Sequence, residues 1–158
     1  FVNLSAKIIK NKYPDVIFDV IGPLEEDVSP DLIKELNDNG TICYHGSQND
    51  IHPYVAKGWA NILPSYHEGI ANVLLEGSAC GRPVLATRVT GCKETYIDGE
   101  TGLGFNVKDV DDLVCAVEKF IKMPYEDKVE MGLKGRKFVE DNFDRNLVIN
   151  AYLEKIFS

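Results

Sequence analysis

Short apolar runs alternate with amphipathic stretches along most of the chain, which is typical of a parallel α/β sheet. Most of the runs end at glycine, proline or small polar residues. They predict strands at 16–21, 41–44, 60–63, 83–87 and 103–107. The stretches between them have helical spacing and predict helices at 1–12, 31–36, 50–57 and 70–80. We therefore expect an α/β fold, with a Rossmann-like parallel sheet flanked by helices.

The last third of the chain has only helical spacing. Asp109 is the expected N-cap of an amphipathic helix that runs to Ile121, with Asp112 completing a capping box. Pro124 starts a second helix that extends to about Glu140, and Asp144 caps a third. We expect the apolar residues of the last two helices to face the core; they are Val129, Leu133, Val139, Leu147, Ala151, Tyr152 and Ile156.

Length and charge limit the possible functions. A chain of 158 residues is long enough for one domain with its own core. Its net charge of −8 argues against nucleic acid and against an anionic membrane surface as partners. There is no apolar run of about 18 residues and no secretion signal, so we expect a cytoplasmic location. The chain begins with Phe1 rather than Met, so we interpret it as a fragment or a processed product.

The cysteines and histidines give no sign of a metal site. Cysteines at 43, 80, 92 and 115 form no C-x-x-C pair, which favours reduced thiols over a disulfide framework. The three histidines are scattered along the sequence. We interpret His45 and His52 as satisfied or solvated side chains and expect no metal.

Residues 64–84 differ from ordinary core, because they predict a strand, a tight loop, a helix, a glycine turn and a second strand. A loop of this kind, at the carboxyl end of a parallel strand, is where open α/β sheets bind ligands. The free N–H groups of the helix start suit a phosphate, and Gly69 lets the backbone approach a ligand closely. The G-x-G-x-x-G dinucleotide fingerprint is absent.

Two carboxylates, Glu68 and Glu76, stand within this segment. With a helix from about Ile70, their separation approaches the rise of eight helical residues, about 12 Å. Glycosidase carboxylate pairs lie only about 5–9.5 Å apart, so that chemistry is disfavoured. The spacing allows two contacts on one long ligand. It equally allows an acidic residue favoured by the helix dipole together with a solvated helix glutamate.

The segment resembles a known family. The run S-Y-H-E-G-I-A-N-V-L-L-E-G-S-A-C-G-R-P-V-L-A-T at 65–87, then T-G-C-K-E-T at 90–95 and D-G-E-T-G-L-G-F at 98–105, is similar to retaining glycosyltransferase family 4. The likeness is to the C-terminal, nucleotide-sugar-binding half of these enzymes, which have the two-domain GT-B fold. The family's E-x7-E pair matches Glu68 and Glu76, and the resemblance extends over essentially the whole chain.

The resemblance implies a role for each matching residue. Glu76 would bind the nucleotide ribose, and Glu68 would be the catalytic residue facing the donor sugar and its leaving phosphate. Glu94 matches a family position either as a ligand contact or as a structural cap. Further implied contacts are amides of Gly69, Ile70 and Ala71 to the sugar, amides of Asn72 and Val73 to the diphosphate, His67 as pocket lining, and loop 45–48 beside the base.

The implied reaction is a hexosyltransferase-type transfer, with retention, from a nucleoside diphosphate sugar to a glycan or lipid-linked acceptor. A UDP-sugar is the favoured donor, GDP-mannose is an alternative, and no metal or other cofactor is expected. The residues S-Y-H-E-G and G-C-K-E are most similar to those of bacterial enzymes of capsule, exopolysaccharide or lipopolysaccharide synthesis. Such enzymes act in the cytoplasm and at the periphery of the inner membrane. The alternatives are a non-catalytic α/β interaction module and another GT-B enzyme, such as an epimerase.

The resemblance also predicts what the chain lacks. Family members begin this domain with a central strand and an Arg and a Lys that hold the diphosphate, whereas this chain begins at the following helix. We therefore expect residues 1–158 to be a single donor-binding domain without its acceptor-binding N-terminal domain. The missing strand should leave a gap in the sheet, and the chain alone should be inactive.

Overall fold

The computed structural model describes residues 2–24 and 28–157, apart from the side chains of Val148 and Ala151. Phe1, which the sequence predicts within the first helix, lies outside these residues. The helices are α1 (Val2–Lys12), α2 (Pro30–Asp38), α3 (His52–Lys57), α4 (Asn72–Ala79), α5 (Val110–Lys122), α6 (Tyr125–Phe143) and α7 (Arg145–Phe157). The strands are β1 (Asp19–Ile21), β2 (Cys43–Gly46), β3 (Asn61–Leu63), β4 (Val84–Thr87) and β5 (Gly102–Phe105). The predicted order of elements is confirmed, although several strands are shorter than predicted.

The strands form two separate parallel sheets. One sheet has the order β1-β2 and the other has the order β3-β4-β5. Asp19 pairs with Cys43 in the first sheet, and Val84 lies between Asn61 and Gly102 in the second. The described residues supply no strand that joins β1 to β3. The break agrees with the predicted gap in the sheet.

The main core lies between the three-stranded sheet and the helices that cover it. Leu85, Leu103 and Phe105 of the sheet pack with residues of α5 and with Ile9 of α1. A smaller cluster on α4 includes Leu74 and packs against β4. Because β4 and β5 are buried along their whole length, they hold the loops at their ends in fixed positions.

Two helix starts follow the sequence prediction closely. Ser29 caps α2 by accepting a hydrogen bond from the N–H of Leu32 at 3.4 Å. Asp109 caps α5 by accepting from the N–H of Asp112 at 2.9 Å. The predicted capping box is wrong in its second half, because the Asp112 carboxylate accepts from the N–H of Asn106 at 2.7 Å rather than from the N–H of Asp109, and so supports the loop before the helix.

The predicted inward face of α6 is wrong. Leu133 is 60% exposed and Val129 is also exposed, while Val139 is half-buried. The buried face is instead formed by Met131, Gly132 and Gly135. A Cβ on Gly132 would lie closer than 3.0 Å to the carbonyl oxygen of Gly81, so the glycine face lets α6 approach the turn after α4.

The last helix also departs from the prediction. Leu147, Tyr152 and Ile156 of α7 are exposed rather than packed in the core, and the Ala151 side chain lies outside the described residues. The carboxylate of Asp144 does accept from the N–H of Asn146 at 2.7 Å, as the predicted cap requires. Among the described residues, no helix is both long and apolar enough to span a bilayer.

Candidate functional site

The predicted segment forms a loop between the carboxyl end of β3 and the start of α4. Helix α4 begins at Asn72, two residues later than predicted, so Glu68 and Ile70 lie in the loop. Gly69 and Ile70 are exposed, and a Cβ on Gly69 would have no neighbour within 4 Å. The loop is therefore open to a ligand on this side.

The start of α4 has no side-chain cap. Its N-cap residue is Ala71, which has no hydrogen-bonding side chain, in contrast to the capped starts of α2 and α5. Within the described part of the chain, the N–H groups of Gly69, Ile70 and Val73 have no hydrogen-bond partner. Uncapped amides at a helix start attract anions, because they add to the positive end of the helix dipole.

Two of the amides predicted to contact the ligand are already engaged. The N–H of Ala71 donates to the carbonyl of Gly91 at 2.8 Å, and that of Asn72 donates to the carbonyl of Ile70 at 3.0 Å. Of the five amides predicted to contact the ligand, those of Gly69, Ile70 and Val73 are therefore free among the described residues. Any contact from the other two would require these bonds to exchange.

The Glu68 side chain is held by a relay of hydroxyl groups. Ser65 Oγ donates to Glu68 Oε1 at 2.7 Å. Thr87, fully buried at the end of β4, donates its Oγ1 hydroxyl to the Ser65 carbonyl oxygen at 2.7 Å. The relay therefore fixes the half-buried Glu68 carboxylate relative to two strands of the sheet. Ser65 and Thr87 are not among the residues predicted from the sequence, although the threonine that ends the apolar run of β4 marks a polar group at the carboxyl end of a buried strand.

The loop after β4 supports the Glu68 loop from behind. Gly91 has a φ of +85°, and a Cβ there would lie closer than 3.0 Å to the carbonyl oxygen of Glu68. The N–H of Glu68 donates to the carbonyl of Thr90 at 3.3 Å. Glu94 Oε2 accepts from the N–H of Gly91 at 2.7 Å. Glu94 thus makes the hydrogen bond expected of a structural cap, and its role as a ligand contact stays a prediction.

Cys92, near Glu68 and Glu94, is a buried thiol that carries no charge. Burial raises the pKa of the Cys92 thiol and outweighs the lowering by the hydrogen bond from the Thr87 hydroxyl, and the negative charges of Glu68 and Glu94 add smaller increases. Cys92 is fully buried, and its Sγ lies 3.9 Å from Thr87 Oγ1. It stays protonated at neutral pH and belongs to the support of the loop.

Glu76 lies exposed on α4, on the helix that starts at the loop. The next residue, Gly77, is buried so close to Asn61 of β3 that a Cβ on it would collide with the Asn61 side chain. Asn61 Nδ2 donates to the carbonyl oxygen of Val73 at 3.2 Å. The Asn61–Gly77 contact therefore fixes the position of α4, and with it the position of Glu76.

The remaining predicted site residues are His67 and the loop at residues 45–48. His67 is exposed and lies in the same loop as Glu68. Tyr66, its neighbour, has the ammonium group of Lys108 5.3 Å from its ring centroid. Lys108 has a φ of 62°, a left-handed conformation that is uncommon for a residue other than glycine. In the predicted base-side loop, the side chain of Gln48 donates to the carbonyl of His45 at 2.7 Å.

The parallel sheets and their covering helices match the α/β architecture of GT-B glycosyltransferase structures. The family profile described as "Glycosyl transferases group 1" matches residues 2–138. The chain belongs to this family.

Individual relatives agree with the assignment. The chain is 29% identical over 148 residues to the lipopolysaccharide core biosynthesis glycosyltransferase LpsE of Rhizobium meliloti, a match that covers 93% of the chain and 43% of the relative. It is 32% identical over 155 residues to the capsular polysaccharide biosynthesis glycosyltransferase CapM of Staphylococcus aureus, covering 91% of the chain and 38% of the relative. The chain thus spans about two fifths of the length of these relatives.

A solved structure shows the same fold. The Anabaena protein Alr3699/HepE, crystallised in complex with UDP, superposes with a TM-score of 0.84 at 18% identity. The superposition covers 97% of this chain and 44% of the Anabaena chain. At this level of identity the likeness establishes the fold of the described chain.

Proposed function

We propose that this chain is the C-terminal, donor-binding domain of a retaining family 4 glycosyltransferase. The full-length protein would transfer a hexose from a nucleoside diphosphate sugar to a glycan or lipid-linked acceptor. Most of the acceptor site would belong to a further domain, since the chain spans about two fifths of its relatives. The location expected with this function is cytoplasmic, peripheral to the inner membrane when the protein is full length.

The observation that carries the proposal is the uncapped start of α4 beside a fixed carboxylate. Free N–H groups of Gly69, Ile70 and Val73 offer hydrogen bonds to the oxygens of a diphosphate and its sugar. The Ser65–Thr87 relay holds Glu68 next to the same loop. An acidic chain can bind an anionic nucleotide sugar here because the backbone supplies local positive charge.

The two glutamates have different tasks in this proposal. Glu76, exposed on α4, accepts hydrogen bonds from the ribose hydroxyls. Glu68 faces the donor sugar and its departing phosphate as the catalytic residue. The helix start stabilises the negative charge that grows on the departing diphosphate, and the loop orients the donor. The proposed transfer uses no metal or cofactor.

The relatives support a nucleotide donor and a polysaccharide product. The Anabaena protein was crystallised with UDP, which favours a UDP-sugar as donor. The two bacterial relatives act in lipopolysaccharide core and capsular polysaccharide biosynthesis. We propose a role in bacterial capsule, exopolysaccharide or lipopolysaccharide synthesis for the full-length protein, and we expect the chain alone to bind nucleotide weakly without turnover.

Calorimetric titration of the chain with UDP tests the proposal. We expect saturable binding that weakens about tenfold or more in Glu76→Ala, because a charged acceptor of ribose hydrogen bonds is lost. Glu126→Ala is the matched control, since Glu126 is an exposed glutamate in the first turn of a different helix, α6. It should leave the UDP affinity unchanged.

The same titration separates the proposal from its alternatives. An absence of UDP and GDP binding to the folded chain would favour a non-catalytic α/β module. Binding that is equally strong in Glu76→Ala would remove the ribose assignment. Comparing UDP-glucose with UDP then isolates the sugar contact, which Glu68→Gln should weaken while leaving UDP affinity intact.

A further inference from the structure

A second cluster of chemically reactive side chains lies on the two-stranded sheet, where His45 also begins the loop predicted to border the base. Asp19 of β1 is the register partner of Cys43 of β2, and His45 lies two residues further along β2. One potential ligand atom from each residue lies within 4.8 Å of the other two.

An irregularity in the strand pairing brings the imidazole to the carboxylate. Val20 pairs with Tyr44 and Ile21 pairs with Gly46, so His45 is the extra residue of a β-bulge. Bulges redirect side chains and are common beside functional sites. His45 Nε2 lies 2.6 Å from Asp19 Oδ1 as a result.

The imidazole is also held from its other sides. The Tyr54 ring of α3 packs against it with a centroid distance of 4.7 Å. Gln48 fixes the His45 backbone through its carbonyl oxygen at 2.7 Å. The His45 side chain is 24% exposed and that of Asp19 is 46% exposed, so the cluster is ordered yet reachable from solvent.

We propose that Asp19, Cys43 and His45 form a binding site for a divalent metal ion of the zinc class. Thiolate, imidazole and carboxylate are the three ligand types that Zn²⁺ takes in proteins. Ligand atoms of a tetrahedral zinc site lie about 3.3–3.8 Å apart, a spacing that small side-chain rotations reach from this cluster. Water takes the fourth position.

Binding changes protons in a defined way. The Cys43 thiol loses its proton to solvent and binds as thiolate. Neutral His45 gives up its hydrogen bond to Asp19 and shifts its ring proton from Nε2 to Nδ1 by exchange with solvent, so that the Nε2 lone pair binds the ion. Asp19 binds through a carboxylate oxygen. No step of the proposed glycosyl transfer uses this ion.

The expectation from the sequence is that His45 is either hydrogen-bonded or solvated, and its hydrogen bond to Asp19 confirms the first of these. A second pair in the chain shows what the same bond looks like without a thiol. His52 Nδ1 lies 2.7 Å from Asp50 Oδ1, and both side chains are mostly exposed. The Asp19 cluster differs by its cysteine, its burial and its bulge.

Cobalt titration of the reduced, metal-free chain tests the site. Co²⁺ bound to a thiolate in a tetrahedral site gives a near-ultraviolet charge-transfer band and intense visible bands. We expect these bands to appear in equimolar Co²⁺ and to disappear when Zn²⁺ displaces it. Cys43→Ser should abolish the charge-transfer band, and His45→Gln and Asp19→Asn should each weaken Zn²⁺ affinity at least about tenfold.

Two controls make the result specific. His52→Gln removes the matched histidine–aspartate pair, and Cys115→Ser removes an exposed thiol on α5. Both should keep the bands and the Zn²⁺ affinity. Circular dichroism confirms that each variant is folded. Asp19→Asn alters one half-exposed side chain, so it tests a ligand with little change to packing.

A folded wild-type chain without the charge-transfer band, or a band that survives Cys43→Ser, would overturn the site. UDP binding is measured separately, so failure of the metal site leaves the glycosyltransferase proposal standing.

Discussion

The two sheets of the molecule differ sharply in how they are covered. Every residue of β4 and β5 is buried, and α4, α5 and α6 contact the three-stranded sheet. No residue of β1 or β2 is fully buried. The difference shows that the three-stranded sheet carries the main core, while the two-stranded sheet leaves polar side chains such as Asp19 accessible.

The covered sheet is also the one that carries the candidate donor site. Glu68 follows β3, and the residues that hold it come from β4 and the loop after it, through Thr87 and Gly91. A carboxylate fixed by a buried strand needs little reorganisation when charge develops beside it. The two-stranded sheet provides a different kind of site, in which a bulge at His45 gathers ligands on a partly exposed face.

The largest expected effect comes from truncating the buried sheet. Phe105→Ala should lower the free energy of unfolding by about 3–5 kcal/mol, because Phe105 is fully buried and the change leaves a cavity. Val20→Ala in the half-covered sheet should cost only about 1 kcal/mol. Urea unfolding of both variants measures the contrast. Equal losses would show that the two sheets contribute alike, and the comparison would fail.

A smaller effect is expected at the loop that supports Glu68. Gly91→Ala should cost about 3 kcal/mol, because the new Cβ adds a collision with the Glu68 carbonyl to the penalty of a left-handed backbone. The matched control is Gly99→Ala, at a φ of +83° with nothing within 4 Å of its Cβ, which should cost about 1 kcal/mol. Amide NMR shifts of residues 68–71 should move only in the Gly91 variant. Similar stability losses in both variants would mean that the loops do not support each other.

The parts of this picture that the sequence predicted are local ones. The strand–loop–helix segment around Glu68 and Glu76, and the caps at Ser29 and Asp109, depend on neighbouring residues. The break in the sheet was also expected, from the resemblance to a known family.

What the sequence did not predict depends on contacts between distant segments. The inward face of α6 was assigned to Val129 and Leu133, but the close approach of Gly132 to the Gly81 carbonyl turned those side chains outward. Likewise, strand pairing and a bulge bring Asp19 to Cys43 and His45. Neither feature leaves a periodic signal in the chain.

The smallest expected effect tests the ion network that joins β4, β5 and α5. Burial alone would raise the pKa of Asp98, but hydrogen bonds from the Gly104 amide and the Arg88 guanidinium outweigh it and hold that pKa below its ordinary value of 3.8. Because the folded-state pKa is lowered, the stabilisation is complete above the ordinary value and is lost as pH falls through the folded-state pKa. Asp98→Asn should therefore flatten the dependence of the unfolding free energy on pH below about pH 4. The loss should be less than about 1 kcal/mol, because the Asp98 carboxylate is 45% exposed and screened by solvent. Arg88→Gln removes one of the two donors to Asp98 and should flatten the same curve partly. Urea titrations across acidic pH measure both variants. Curves that superpose on that of the wild type would show that this ion network adds nothing to the stability of the three-stranded sheet.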